Sequence, residues 1–117
     1  MNSRDLSLLV ITVLAISGGQ VCFKIAAPAF SALSIRSMFE PMFIIALVIY
    51  AAATILWVIC LSRIPLTQAY PVIALSYVIV PVLAQFLLGE SSSIRTFLGA
   101  AIVIVGVYVS VSDKVQL

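Results

Sequence analysis

The sequence predicts an all-α membrane protein, a single domain over residues 1–117 built as a bundle of four transmembrane helices, and three observations predict it. Hydrophobic side chains make up 64% of the 117 residues and charged ones only 9%, with a mean hydropathy of +1.31. Soluble domains hold about 45–50% apolar and about 25% charged residues, so water is not the main solvent of this chain. The apolar residues gather in four runs, 6–26, 41–61, 66–88 and 96–111, each near the roughly 20 residues that cross a bilayer as a helix. The connections are short, which leaves no length for a soluble domain and excludes most enzyme folds.

The first run follows Arg4 as a signal-peptide core would, but it is longer than such a core and Lys24 near its end is not a cleavage-site residue, so it reads as a retained helix. Pro28 opens the longest connection, which reaches Glu40 and carries Arg36. The second helix spans 41–61. Ser62, Arg63 and Pro65 then mark a sharp reversal into the third, 66–88, where Pro71 and Pro81 each remove a backbone donor and favour a bend. Residues 89–93 form a polar turn. The fourth run is short and recruits Ile94 and Ser112, giving a helix over 94–112.

Antiparallel neighbours place Cys22 and Cys60 near opposite membrane faces, too far apart for a bridge, so both are expected as buried thiols. The same alternation puts Arg4, Arg63 and Lys114 on the face that carries both termini, and Lys24, Arg36 and Arg95 on the other, three against three. The positive-inside rule therefore selects no orientation. A subunit that inserts both ways, one oriented by a partner, or helix ends displaced by a few residues would each give this balance. The cations are scattered singly, so no basic face for nucleic acid exists.

Polar residues inside apolar helices carry the functional information, because each needs a partner, a wet cavity or an exit to the interface. Ser17, Gln20 and Lys24 fall within an arc of about 60° on the first helix. Gly18 and Gly19 beside them permit close approach of a backbone or a substrate. An ammonium next to an amide suits an anionic group such as phosphate. Lys24 near the helix end can equally snorkel to the interface as an anchor, whereas Gln20 one turn earlier argues for a polar path inward. On the third helix Thr67, Tyr70, Tyr77, Pro81 and Gln85 lie within an arc of about 80°. This stripe fits a sugar or organic ligand, or an ordinary helix interface. Tyr50, Thr54 and Trp57 form a weaker stripe on the second helix, better suited to packing. Gly99 and Gly106 share a face of the fourth helix with Ser110, which suits close contact with a second subunit or with the chain's own bundle.

The absences are equally specific. Asp5, Glu40, Glu90 and Asp113 all sit at segment ends and the chain has no histidine. A proton-coupled exporter of cationic drugs needs a carboxylate inside the membrane. No metal-ligand cluster, phosphate loop or nucleophile–base pair is visible, so neither catalytic residues nor a metal or cofactor are expected.

Three segments carry a family resemblance. Gly19, Gln20, Cys22, Lys24 and Ala26 match G-Q-x-C-x-K-x-A; Trp57, Leu61, Pro65, Ala69, Tyr70, Pro71 and Leu75 match W-x3-L-x3-P-x3-A-Y-P-x3-L; Glu90, Arg95, Gly99 and Gly106 match E-x4-R-x3-G-x6-G. Over nearly its whole length the chain resembles the small subunits of the bacterial 4-amino-4-deoxy-L-arabinose-phosphoundecaprenol flippase. These belong to the drug/metabolite transporter superfamily and stand close to the small multidrug resistance proteins. The first-helix pattern is the most discriminating of the three. Small multidrug exporters carry a glutamate two turns before the lysine, and alignment on Lys24 puts Ile16 there. Export of small organic cations is accordingly the alternative function.

The resemblance implies a multi-pass protein of the bacterial inner membrane that flips an undecaprenyl-phosphate-linked sugar for lipid A modification. It also implies a dimer that forms the transport pathway, with itself or with a paralogous subunit, often with opposed orientations. A polyprenyl tail dissolves in lipid and only the headgroup needs a polar passage. Ser17, Gln20 and Lys24 are expected to receive the phosphate and part of the sugar, with Tyr70, Tyr77 and Gln85 on the opposite wall. Glu90 and Arg95 are placed to meet an arriving headgroup, or to serve as an interfacial ion pair or helix end.

Overall fold

The computed structural model of the chain describes residues 1–32 and 34–113; Lys114 of the charge count lies outside them. Among the described residues five α-helices form the bundle: α1 (Ser3–Ala26), α2 (Pro41–Leu61), α3 (Leu66–Ile73), α4 (Ser76–Leu87) and α5 (Ile94–Val111). With α3 and α4 counted as one path, four segments among the described residues are long and apolar enough to cross a membrane. The chain is an all-α, multi-pass membrane protein.

Each boundary has a local cause. The Asn2 side chain accepts a hydrogen bond from the Asp5 amide at 2.9 Å, so α1 begins at Ser3, a turn before the apolar run at residue 6, because a cap and not hydropathy starts a helix. Pro41 occupies the first turn of α2, where its missing N–H costs nothing. Ser93 caps α5, accepting from the Thr96 amide at 3.4 Å. Gly89, at φ 68°, turns the chain after α4; this is the left-handed region that glycine enters without steric penalty. The Glu90 amide then reaches back to the Ala84 carbonyl at 3.2 Å. Between residues 27 and 40 two 3₁₀ turns, Ala27–Ala32 and Ile35–Phe39, cover most of the long connection.

The third crossing is not the single helix 66–88 that its apolar run suggests. It breaks at Ala74 and Leu75, where bonding tightens to three-residue spacing: Leu75 donates to Val72, Tyr77 to Ala74 and Val78 to Leu75, each at 3.0 Å. Pro71 and Pro81 flank the break. Both lack an N–H and crowd the carbonyl four residues earlier, which makes this stretch the weakest part of the ladder.

Helix α1 is the centre of the bundle. One third (33%) of its best membrane window is buried, against 6% for each of the last two crossings. At one end Leu9, Val13, Cys60, Ile64, Ala69 and Val72 form the apolar core, with Met1 and Val111 packed on it, so the segment before α1 and the last residue of α5 meet there. Elsewhere α1 and α2 meet through small residues, Gly19, Ala46 and Ala53, all buried. Dispersion between closely apposed backbones, not exclusion of water, holds such a pair together in lipid. The outward faces carry Val48, Ile55, Phe86 and Ile102, all more than 60% exposed; in water this would be an aggregation surface, and in a bilayer it is the solvated face.

Hydroxyls on the membrane-spanning helices, buried at Thr12 and Ser17 and exposed at Thr54 and Ser110, are satisfied by their own helices. Thr12 donates to the Leu8 carbonyl at 2.9 Å, Ser17 to Val13 at 2.8 Å, Thr54 to Tyr50 at 2.8 Å and Ser110 to Gly106 at 2.8 Å. Bonding to the carbonyl four residues back satisfies a hydroxyl where no water is available. Cys60 is buried with its sulfur 3.7 Å from the Thr12 hydroxyl, and Cys22 is partly buried. Both are free thiols.

Ion pairs stand at the two ends of α1. Arg63 in the α2–α3 turn lies 3.8 Å from Asp5, and Glu90 in the α4–α5 turn lies 3.9 Å from Lys24. The pairs mark opposite membrane surfaces, as the alternating helix directions require.

Candidate functional site

A groove in two lobes runs beside α1. The larger lobe has a volume of ≈ 500 Å³ and is lined by Ile16 and Gln20 of α1, Tyr70 and Ile73 of α3, Ser76, Tyr77 and Val80 of α4, and Val103 of α5. The smaller, ≈ 260 Å³, is lined by Tyr50, Ala53, Thr54 and Trp57 of α2 and shares Ile16, Tyr70 and Ile73 with the first. Tyr70 therefore stands between the lobes. Its ring meets Trp57 edge-on with centroids 6.2 Å apart, a favoured aromatic arrangement.

One hydrogen bond joins the lobes: the Gln20 side-chain amide donates to the Tyr50 hydroxyl at 2.6 Å. Tyr50 is held for this role by its neighbours. Its ring packs on Phe23 at 5.3 Å, and Phe23 continues to Phe43 at 6.0 Å and Phe43 to Phe30 at 4.8 Å. Gly19 makes room for it, since a Cβ there would fall 2.7 Å from Tyr50 Cδ2. Nothing lies within 4 Å of a Cβ at Gly18. Of the glycine pair only Gly19 serves close approach. Gly19→Ala is expected to push the Tyr50 ring aside and lower stability by about 1–3 kcal/mol, the usual cost of overpacking. Gly18→Ala should leave stability unchanged or slightly raised. Thermal unfolding of both variants in detergent measures the contrast, and equal melting temperatures would remove Gly19 from this role.

Most of the groove is apolar. Its polar groups are the Gln20 amide, three tyrosine hydroxyls and the hydroxyls of Ser76 and Thr54, and none of its lining residues is acidic. Ile16 occupies the wall of both lobes, at the position where the cation exporters hold their glutamate. The polar atoms along these walls are uncharged.

The structure separates the residues singled out by sequence. Gln20, Tyr70 and Tyr77 line the groove. Ser17 does not: it is fully buried and its hydroxyl is spent on Val13, although its helical angle is close to that of Gln20. Gln85 is exposed and outside the lining; it lies two turns past Tyr77 along α4, beyond Val80, the last lining residue of that helix. Lys24 lies one turn beyond Gln20, outside the lining and paired with Glu90. Arg95 is exposed in the first turn of α5. Gly99 approaches the bundle's own Tyr77, whose hydroxyl would lie 4.0 Å from an added Cβ, whereas Gly106 borders open space.

Tyr50, Thr54 and Trp57, read from sequence as packing residues, enter the lining, and Ser76 joins them. The signal that could have found them is the antiparallel pairing of α1 and α2. A polar stripe on each of two consecutive crossings has only the other to satisfy it.

No established protein-family profile matches the chain, and no solved structure matches it. Curated proteins do. The chain is 34% identical over 109 residues to the protein of Yersinia pseudotuberculosis serotype O:1b (strain IP 31758) named “Probable 4-amino-4-deoxy-L-arabinose-phosphoundecaprenol flippase subunit ArnE”, covering 92% of this chain and 94% of the relative. Proteins of the same name from Pectobacterium atrosepticum and Enterobacter sp. (strain 638) are each 30% identical, over 104 and 100 residues. They cover 86% of this chain in both cases, and 92% and 90% of the relatives.

Proposed function

We propose, from the premise that the chain belongs to the ArnE family of flippase subunits, that it carries the headgroup of an undecaprenyl-phosphate-linked 4-amino-4-deoxy-L-arabinose across the bacterial inner membrane for lipid A modification. Family membership makes it a transporter subunit and not an enzyme.

The observation that carries the reading is the Gln20–Tyr50 pair in a groove whose walls are otherwise apolar. A polyprenyl-linked sugar phosphate brings its own membrane solvent in the tail, so the protein has only to solvate the headgroup. Gln20, Tyr50, Tyr70, Tyr77 and Ser76 provide hydrogen-bonding groups for sugar hydroxyls. Lys24, a turn beyond Gln20 at the membrane surface, attracts the phosphate. Ile16 keeps the middle of the groove free of negative charge. Export of small organic cations lacks the carboxylate it would need there.

The groove is open on one side, with Tyr70 and Tyr77 more than half exposed. A second subunit, identical or paralogous, closes it, and α5 offers the contact face through Gly106. Opposed insertion of two subunits fits the even split of cations between the faces. The headgroup then passes as the closed dimer alternates its opening.

Reconstitution into liposomes containing the aminosugar lipid tests this, with exposure on the far leaflet as the readout, for the chain alone and with its paralogous subunit. Gln20→Leu is expected to slow exposure about tenfold, the loss of roughly one hydrogen bond to a charged or strongly polar group. Exposure no faster than in protein-free vesicles, in both arms, would overturn the function.

A further inference from the structure

The two ion pairs of α1 have different surroundings. Asp5–Arg63 stands at the end that carries the apolar core. Lys24–Glu90 joins the C-terminal end of α1 to the turn that follows α4, and α1 and α4 are the helices that wall the larger lobe through Gln20, Ser76, Tyr77 and Val80. Neither residue lines the lobe; Lys24 follows Gln20 by one helical turn, and the pair stands beyond the lobe at one membrane surface. Its 3.9 Å separation exceeds hydrogen-bond length, and the side chains are 65% and 46% exposed. An exposed contact of this kind is weak and opens readily.

We infer that Lys24 and Glu90 are a split receptor for a zwitterionic lipid headgroup, in which a phosphodiester takes Lys24 while a primary ammonium on the same headgroup takes Glu90. The inference rests on the lipid-flipping function proposed above. A phosphate that approaches Lys24 also meets the Glu90 carboxylate, a like charge that repels it. A neutral sugar leaves that carboxylate without a counterion once Lys24 has turned to the phosphate. An amino sugar supplies the replacement, so one protein ion pair is exchanged for two between protein and ligand. Glu90 is thereby a specificity-determining residue that favours amine-bearing carriers over their hydroxyl counterparts. Phosphatidylethanolamine presents the same two charges, but its compact headgroup has no sugar hydroxyls for the groove, and the assignment is to the carrier lipid.

The test compares two labelled probes, undecaprenyl phosphate linked to 4-amino-4-deoxy-L-arabinose and to L-arabinose, binding to the full chain in phosphatidylcholine–phosphatidylglycerol vesicles. The wild type is expected to prefer the amino lipid about tenfold, Glu90→Gln to reduce the preference to about one, and Glu90→Asp to restore part of it. A purely structural role for Glu90 would change both affinities alike and leave the ratio intact. Equal binding of the two probes by the wild type overturns this inference and leaves the flippase function standing. Binding of neither above protein-free vesicles overturns both. Phosphatidylethanolamine that displaces the amino probe as effectively as unlabelled amino lipid does overturns the assignment to the carrier.

Discussion

Ile16→Glu is expected to slow flipping of the L-arabinose carrier, whose headgroup bears the phosphate charge alone, about a hundredfold while Ile16→Gln slows it far less. Ile16 borders both lobes of the groove, so a carboxylate introduced there faces any headgroup in transit. Two like charges about 6 Å apart at an effective dielectric of about 20 repel by about 3 kcal/mol, which is about a hundredfold in rate. Glutamine matches glutamate in size and polarity, so the difference between the variants isolates charge. The substitution also restores the acidic position of the cation exporters. Binding of a monovalent organic cation should therefore rise in Ile16→Glu as flipping of the anionic lipid falls. Equal rates for both variants, measured in proteoliposomes with surface expression matched, would mean that the headgroup does not pass Ile16.

What could be read from sequence divides along a physical line. Composition places the chain in a bilayer, and four apolar runs place four crossings, because in hydrocarbon the backbone has no alternative to helix. Helix ends set by single side chains escape hydropathy, as at Asn2, where a cap starts α1 three residues before the apolar run. Gln20, Tyr70 and Tyr77 line one groove because each projects from the face its helical angle assigns. Ser17 shares that face nominally but is buried and spends its hydroxyl on Val13. Angle gives direction and says nothing of whether a donor is already used. Nor does angle give depth: Gln85 lies two turns past Tyr77 on α4, beyond Val80, where the groove lining of that helix ends. Pairings between helices were the least legible. Gln20 with Tyr50 and Lys24 with Glu90 are separated by 30 and 66 positions in the chain, and only the packing of α1 against α2 and α4 brings them together.

Lys24→Ala should lower flipping by between about tenfold and a hundredfold, with membrane insertion unchanged. The range follows from the value of a hydrogen bond to an ionised group, about 1.5–3 kcal/mol. Its partner complicates the simple deletion. Removing the ammonium strips the phosphate of its attractor and also leaves the Glu90 carboxylate, 3.9 Å away, without its counterion. Part of the loss is then repulsion from Glu90. A double-mutant cycle with Glu90→Ala separates the two components, because residues in direct contact are not additive. With the L-arabinose carrier, which has no ammonium for Glu90, and if Lys24 binds phosphate, the double variant recovers part of the rate lost in Lys24→Ala yet remains below Glu90→Ala alone. An interfacial anchor behaves differently: Lys24→Ala would then flip lipid at close to the wild-type rate, and Glu90→Ala would change nothing in that background. Lys24→Arg completes the comparison. It keeps the positive charge and adds a planar fork suited to phosphate, so it should retain most of the flipping rate even though the contact with Glu90 is rebuilt in a different geometry.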